Sequence, residues 1–323
     1  MLQVVFWIAI AVVGYTFLGY GIVISLLVKL KGLIRKNDDK SVEDFIPNVT
    51  LVVPCYNEAE NRAMKFVDSP FVVFTDANTM LNKKAIKNIV KHFSNDNVGC
   101  VSGEKRVLVE EEDSASSAGE GMYWKYESFL KKMDSKFYSA VGAAGELVAF
   151  RTSLYRDLPE DTILDDFMQS LLIASDGYRI VYEPDAYAME TGSDSTSEEL
   201  KRKVRISAGG WQSMKRLFFT ITPFNHPLLF FQYLSHRVLR WTITPFLLFL
   251  IFLLNFFLLN EGFIYQLLMI GQVFFYAAAF VGYVLENRKL RIKVLFIPFY
   301  FCMMNYAVVA GLFRFLKGSQ KST

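Results

Sequence analysis

The chain has 323 residues, a hydrophobic fraction of 52% and a formal net charge of +3. That small excess sits at the edges of apolar runs rather than along one basic stripe, which argues against nucleic-acid binding. The three cysteines (Cys55, Cys100, Cys302) and three histidines (His92, His226, His236) are too scattered for a C-x-x-C pair, a zinc site or a disulfide framework.

Leu2 to Val28 carries no charge and exceeds the ~20 residues that cross a ~30 Å hydrocarbon core. It lacks a basic n-region and a small-residue cleavage site, so residues 1–28 read as a membrane anchor rather than a signal peptide. A polar block, residues 44–216, follows. Val49 to Pro54 and Phe71 to Thr75 are short apolar runs of the kind that form buried parallel strands. Lys83 to Phe93 has Ala85, Ile86, Ile89, Val90 and Phe93 at helical spacing, and Val98 to Val109 returns to strand character. Glu110 to Ser117 reads as an acidic surface loop. Gly119 to Met133 is a helix with Met122, Tyr126, Phe129, Leu130 and Met133 on one face, and Leu147 to Phe150 and Arg179 to Tyr182 are further strands. This alternation predicts an open α/β sheet.

Residues 226–241 are less apolar. Gln232, His236 and Arg240 recur every fourth residue, with Arg237 beside them, and Leu229, Phe230, Tyr233 and Leu234 fill the other side. The pattern suits a helix in the membrane interface with Trp241 at headgroup level; an amphipathic core helix is the alternative. Residues 242–316 contain three more apolar runs, Thr242 to Leu259, Phe263 to Leu285 and Val294 to Phe313. The flanking lysines and arginines place both ends of the polar block in the cytoplasm of a multi-pass plasma-membrane protein. The basic tail with Arg314, Lys317 and Lys321 conflicts with that count if the last run spans; Pro298 and Asn305 offer a place for it to bend back.

Ligands of open α/β sheets bind beyond the carboxyl ends of the strands. Pro54-Cys55-Tyr56-Asn57-Glu58 follows the first strand, and Asp76-Ala77-Asn78 follows the second. An acid with an oxygen ligand two residues on can hold a hard divalent cation, Mg or Mn, against a diphosphate; an Asx turn is the structural alternative. Asp165 and Asp166 open a helix, where acids also complement the helix dipole. As a functional pair they supply a general base for an acceptor hydroxyl, with Asp166 the base and Asp165 its helper. Gly142-Ala143-Ala144-Gly145 allows close backbone approach to a ligand. Lys201-Arg202-Lys203-Val204-Arg205 is a basic run suited to a diphosphate leaving group, or simply a solvated helix face.

Taken in order, these motifs resemble the membrane-bound, processive-type family 2 glycosyltransferases that make cellulose, hyaluronan and poly-N-acetylglucosamine. The resemblance implies a GT-A-like, mainly parallel sheet with flanking transmembrane helices. Pro54, Tyr56, Asn57 and Glu58 match the signature bordering the nucleoside. Asp76-Ala77-Asn78 is similar to D-x-D, with Asn78 in place of the second acid. Leu164-Asp165-Asp166 stands where the family has T-E-D. Arg202-Lys203-Val204-Arg205-Ile206 resembles a divergent Q-x-x-R-W that keeps Arg205. The implied partners are a nucleotide-sugar donor, a uridine diphosphate sugar by resemblance, with a glycan or lipid-linked acceptor and membrane lipids. The implied reaction is inverting sugar transfer in polysaccharide biosynthesis.

One departure stands out. The family inserts a helix, a strand with an Asp-Gly pair that reaches the base, and a second helix between the first signature and D-x-D. Here Glu60 runs directly into Asn61-Arg62-Ala63-Met64. The truncated sheet should bring Val49–Pro54 and Phe71–Thr75 side by side, and loss of the base-binding strand should weaken donor binding and turnover. The alternative function is therefore an inactive relative serving as a membrane scaffold or partner of an active synthase.

Overall fold

The computed structural model describes residues 1–34, 45–54, 60–108, 116–191, 196–288 and 292–318. Helix α1 (Leu2–Ile34) precedes an α/β domain. The domain runs β1 (Val49–Val52), β2 (Phe71–Phe74), β3 (Met80–Leu81), α2 (Ala85–Val90), β4 (Val98–Leu108), α3 (Ser116–Phe137), β5 (Val148–Arg151), α4 (Asp165–Ser175), β6 (Arg179–Thr191) and α5 (Thr196–Leu217). Helix α6 (Pro227–Trp241) and helices α7 (Ile243–Phe257), α8 (Phe263–Asn287) and α9 (Lys293–Leu316) follow.

Among the described residues the strands form one six-stranded sheet in the order β1-β2-β5-β4-β6-β3. β1 and β2 pair in parallel, Val49 opposite Phe71 through Val52 opposite Phe74, as the shortened connection requires. β4 and β6 are also parallel. β5 runs antiparallel between β2 and β4, and β3 antiparallel to β6. The sheet is thus mixed rather than mainly parallel, because β5 enters the sheet from the opposite end, after α3.

Burial alternates along the central strands. Val72, Phe74, Val148 and Phe150 pack with Phe167, Leu171, Met214 and Leu229 on one face. Phe71, Val73, Leu147 and Ala149 pack with Ala85, Ile89 and Phe93 on the other. A period of two between two apolar layers makes a strand buried on both faces, and β2 is buried throughout. β1 lies at the sheet edge, with Leu51 exposed. The path from β1 to β2 contains the helical turn Glu60–Ala63 and the tighter turn Met64–Phe66. β4 carries a register shift between Gly103 and Glu104, where a Cβ on Gly103 would lie 2.7 Å from the Leu147 side chain. Beyond this irregularity β4 continues beside β6, whose other edge pairs with β3, and this carries Lys105 and Glu190 to the rim of the sheet.

Among the described residues three helices are long and apolar enough to cross a membrane: α1, most of α8 (Phe263–Glu286) and most of α9 (Val294–Leu316). The run expected over Thr242–Leu259 forms the shorter α7, which meets that test only together with α6, bent from it by 53°. The break falls at Thr242, whose φ of −128° and ψ of −78° leave the helical region. Helix α9 is continuous through Pro298 and Asn305, so the chain does not turn back there. Instead α9 packs on α5, where the Trp211 Nε1 donates to the Val308 carbonyl at 3.3 Å. α1 is 33 residues long, or ~50 Å at 1.5 Å per residue, so its second half reaches the domain. There Lys31 Nζ donates to the carbonyls of Lys136 and Phe137 at 3.0 and 2.7 Å, closing the end of α3.

The polar stripe of α6, expected at lipid headgroups, faces α3 instead, because α3 presents two buried acids. Asp134 accepts hydrogen bonds from Tyr20 of α1 and from the Gln232 amide at 3.1 Å, and pairs with His236 Nδ1 at 2.6 Å. Glu127 pairs with Arg237 at 2.6 Å, Arg240 at 3.0 Å and His236 Nε2 at 3.3 Å. All seven of these residues are buried. One ionic layer therefore joins α1, α3 and α6.

Candidate active site

A cleft of about 600 Å³ opens at the rim of the sheet, lined by β6, α3, α4, α5, α6 and α9 and by the segments after β1, after β2 and before β5. Pro54, Asp76, Gly145, Asp165, Asp166, Arg202 and Arg205 all line it. Seven residues singled out from sequence, spread over some 150 positions, thus face one volume. Gly142 lies just behind the wall, with φ of +84° and the Phe167 ring 2.2 Å from where a Cβ would sit, so both backbone and space demand glycine. Asn78 is exposed, and its amide nitrogen lies 3.5 Å from Glu190. Tyr56, Asn57 and Glu58 lie outside the described residues, as do residues 110–115 of the acidic loop.

Asp165 and Asp166 occupy the first turn of α4, where Asp165 Oδ1 accepts from the Asp166 backbone N–H at 3.0 Å. The segment before them is clamped to α5. The Gln212 Oε1 accepts from the Ile163 N–H at 3.0 Å, its amide donates to the Asp161 carbonyl at 2.7 Å, and Arg216 donates to Asp161 and Thr162 at 2.8 and 2.7 Å. Gly209 of α5 lies so close that a Cβ there would sit 2.7 Å from Leu164. This clamps the start of the helix that carries Asp166. Gly145 borders the Asp166 carboxylate, with Asp166 Oδ2 3.4 Å from where a Cβ would be, so the glycine leaves one flank of the acid open.

Burial raises the Asp166 pKa to about 8, with Asp165, Glu146 and Asp76 adding repulsion. Asp76 is likewise raised, by burial first and then by Glu146 and Glu190. Glu146 goes the other way. Burial opposes its charge, but Lys105 at 2.7 Å and Arg202 hold it down to about 2. Lys105 also pairs with Glu190, and Arg202 approaches Glu146 at 3.7 Å and Glu190 at 3.5 Å. Among the described residues Asp76 has no ion-pair partner.

A divalent cation fits this set in one way. No group of three or more His, Cys, Asp or Glu is arranged as a metal cage among the described residues. An uncompensated carboxylate beside two neutralised ones suits an ion held by one or two protein oxygens, water and a substrate phosphate. Asp76 is the carboxylate that could take this place, with the Asn78 carbonyl oxygen near it in sequence.

Sequence reading missed Glu127, Lys131, Trp124, Glu146, Glu190, Arg237 and Trp241, which also line the cleft. Glu146 directly follows the Gly142–Gly145 turn and carried a usable signal. Trp124 stands between Lys105 and Lys203, whose ammonium groups lie 5.6 and 5.3 Å from its ring centre. Trp241 packs on Phe167 at 5.5 Å and under Arg237 at 5.2 Å. Its ring lies 2.5 Å from where a Cβ on Gly210 would be.

Residues 71–310 match the family model for glycosyl transferase family group 2, and the chain belongs to that family. It is 27% identical over 169 residues to a poly-beta-1,6-N-acetyl-D-glucosamine synthase of Staphylococcus aureus strain COL, and equally to that of strain MRSA252. The match covers 50% of this chain and 40% of the relative. The chain therefore spans less than half the length of the curated relatives it matches. The fold is shared with a mannosyltransferase, PcManGT, from Pyrobaculum calidifontis, solved in complex with GDP-Man and Mn2+. The TM-score is 0.69 at 19% identity, covering 99% of this chain and 100% of the other.

Proposed function

We propose that the chain transfers a sugar, with inversion, from a nucleotide-sugar donor to a glycan or lipid-linked acceptor at the cytoplasmic face of the plasma membrane. The observation that carries this reading is the cleft itself, in which Asp76, Asp166 and Arg205 converge. The acceptor hydroxyl attacks the anomeric carbon while Asp166 takes its proton. The bond from that carbon to the diphosphate oxygen breaks, and its electron pair leaves with the nucleotide diphosphate. Arg205 and Arg202 stabilise the charge that develops there. A Mg or Mn ion, when bound, neutralises diphosphate charge; Asp76 and Asn78 would hold it. Its use here is supported by the uncompensated Asp76 and by the metal-containing structural neighbour.

A second reading is kept because of β1. It is an edge strand, and among the described residues the path to β2 holds two short turns and no strand for a base. A scaffold that partners an active synthase fits that observation. Calorimetric titration of uridine or guanosine diphosphate with Mn2+ into the detergent-solubilised chain separates the two. The enzyme reading expects metal-dependent binding that Asp76→Asn weakens about tenfold or more, since losing a charged ligand contact costs ~1.5–3 kcal/mol. No binding of either nucleotide supports the scaffold.

The orientation also has a direct test. Ser213 is buried, so a cysteine there reports nothing; Asp96 and Glu261 are exposed. In a background without the native cysteines, an impermeant maleimide should label Glu261→Cys in intact cells. It should reach Asp96→Cys only after permeabilisation. The opposite pattern inverts the topology.

A further inference from the structure

A second large cavity, of about 630 Å³, lies among the apolar helices. Pro245, Phe249 and Phe252 of α7, Tyr276 of α8, and Asn305 and Val309 of α9 form its walls. The volume falls in the ~300–1,000 Å³ range of ligand sites. No charged side chain lines it, and the Asn305 amide nitrogen is already used, donating to the Phe301 carbonyl at 2.8 Å. The chemistry on offer is aliphatic and aromatic carbon, which selects a hydrocarbon.

The same structural elements run past this pocket and past the cleft. On α9, Met304 and Val308 face the cleft, while their immediate neighbours Asn305 and Val309 face the pocket. Consecutive residues are 3.8 Å apart at Cα and about 100° apart around a helix. The two cavities therefore open on adjoining flanks of one helix. The bent pair repeats the arrangement: Trp241 ends α6 in the cleft wall, and Pro245, just beyond the 53° bend, begins the pocket wall in α7. A bulk lipid fills any groove on the outside of a helix bundle. This pocket also opens outward, at Phe249, Tyr276 and Tyr306, but it adjoins the cleft along two of its three walls, α7 and α9.

We propose that the pocket receives the hydrocarbon chain of a lipid-linked acceptor whose hydroxyl end enters the cleft. This deepens the proposed function and rests on it, by naming the acceptor as a lipid rather than a free glycan. The chain end anchors in carbon, and the polar end passes Trp241 toward Asp166.

The test uses the full chain in lipid nanodiscs and a hexadecyl glucoside carrying a diazirine at the chain terminus. After irradiation and digestion, label should concentrate in peptides 245–252 and 301–309. Unlabelled hexadecyl glucoside should compete with it and methyl glucoside should not. Val309→Trp, and independently Leu248→Trp from α7, should each reduce labelling about fivefold or more by filling the space. Thermal unfolding of each variant identifies any that is misfolded, and the other then decides. A diazirine-bearing hexadecane without the sugar should be enriched at these peptides much less than the glucoside. Equal enrichment of that hydrocarbon, or labelling unchanged in the folded tryptophan variants, overturns the proposal. Labelling needs no sugar transfer, so its failure is distinct from a failed nucleotide titration, which would count against the donor reading instead.

Discussion

Asp166→Asn is expected to lower sugar transfer by about 10²–10⁴-fold, the usual contribution of a positioned general base, with nucleotide binding little changed. The substitution keeps size and hydrogen bonding but removes the basic oxygen. Transfer is read as release of nucleotide diphosphate from the donor in the presence of Mn2+. The pH profile of the unsubstituted chain adds a second readout. The carboxyl of Asp166 sits at about 8, through burial first and the neighbouring Asp165 second. The base works only when deprotonated, so the rate should rise with pH, about fivefold between pH 7 and 8 as the ionised fraction climbs from about a tenth to a half. A cation bound at Asp76 cancels one source of repulsion and should move this rise to lower pH. A rate independent of pH from 6 to 9, with transfer intact in Asp166→Asn, would remove Asp166 from the mechanism.

The same residue makes a prediction about stability, with its own sign. The folded chain holds the Asp166 proton more tightly than the unfolded chain, whose carboxyl sits near 3.8. Folding stability therefore falls as pH rises from that value toward 8. Asp166→Asn removes the penalty, so at pH 8 it should melt higher than the unsubstituted chain, and at pH 4 the two should converge. Activity lost while stability is gained marks an acid kept for chemistry rather than for folding.

Glu127→Ala is expected to have the largest effect on stability, ~3–5 kcal/mol, because it leaves buried cations without their counter-charge. Arg237, Arg240 and His236 all point at this one carboxylate from α6. Burial pushes the Glu127 pKa up, but Arg237 and His236 outweigh it and hold the group well below its ordinary value. The sign follows: the stabilisation is complete above about 4.5 and is lost as pH falls below that, toward the depressed folded value. Thermal unfolding in detergent from pH 7 to 3 measures both effects. The acid-dependent part of the melting curve should shrink in Glu127→Ala. A variant within 1 kcal/mol of the parent, by the estimate that exposed pairs contribute ~0–1 kcal/mol, would show the layer to be hydrated and inert.

The sequence by itself determined the outline. Strand and helix periods, the four apolar runs and the acids at strand and helix ends are local patterns, and each is a property of a few neighbouring residues. They located β1, β2, α2, α4 and the apolar helix α1, and they singled out Asp76, Asp165, Asp166 and Arg205. They also anticipated that β1 and β2 would pair, since the chain between them leaves no room for another strand. Only the tertiary structure decided what distant residues do to one another. Alternation cannot reveal strand direction, so the antiparallel entry of β5 went unseen. A polar stripe on α6 looks the same whether it meets headgroups or protein; Glu127 and Asp134, about a hundred residues upstream, decided for protein. Lys105, Glu146 and Glu190 are ordinary charges in the sequence. They become a compensated cluster beside an uncompensated Asp76 only when β4, β6 and the turn before β5 meet, because Coulomb energies depend on distances in space rather than along the chain.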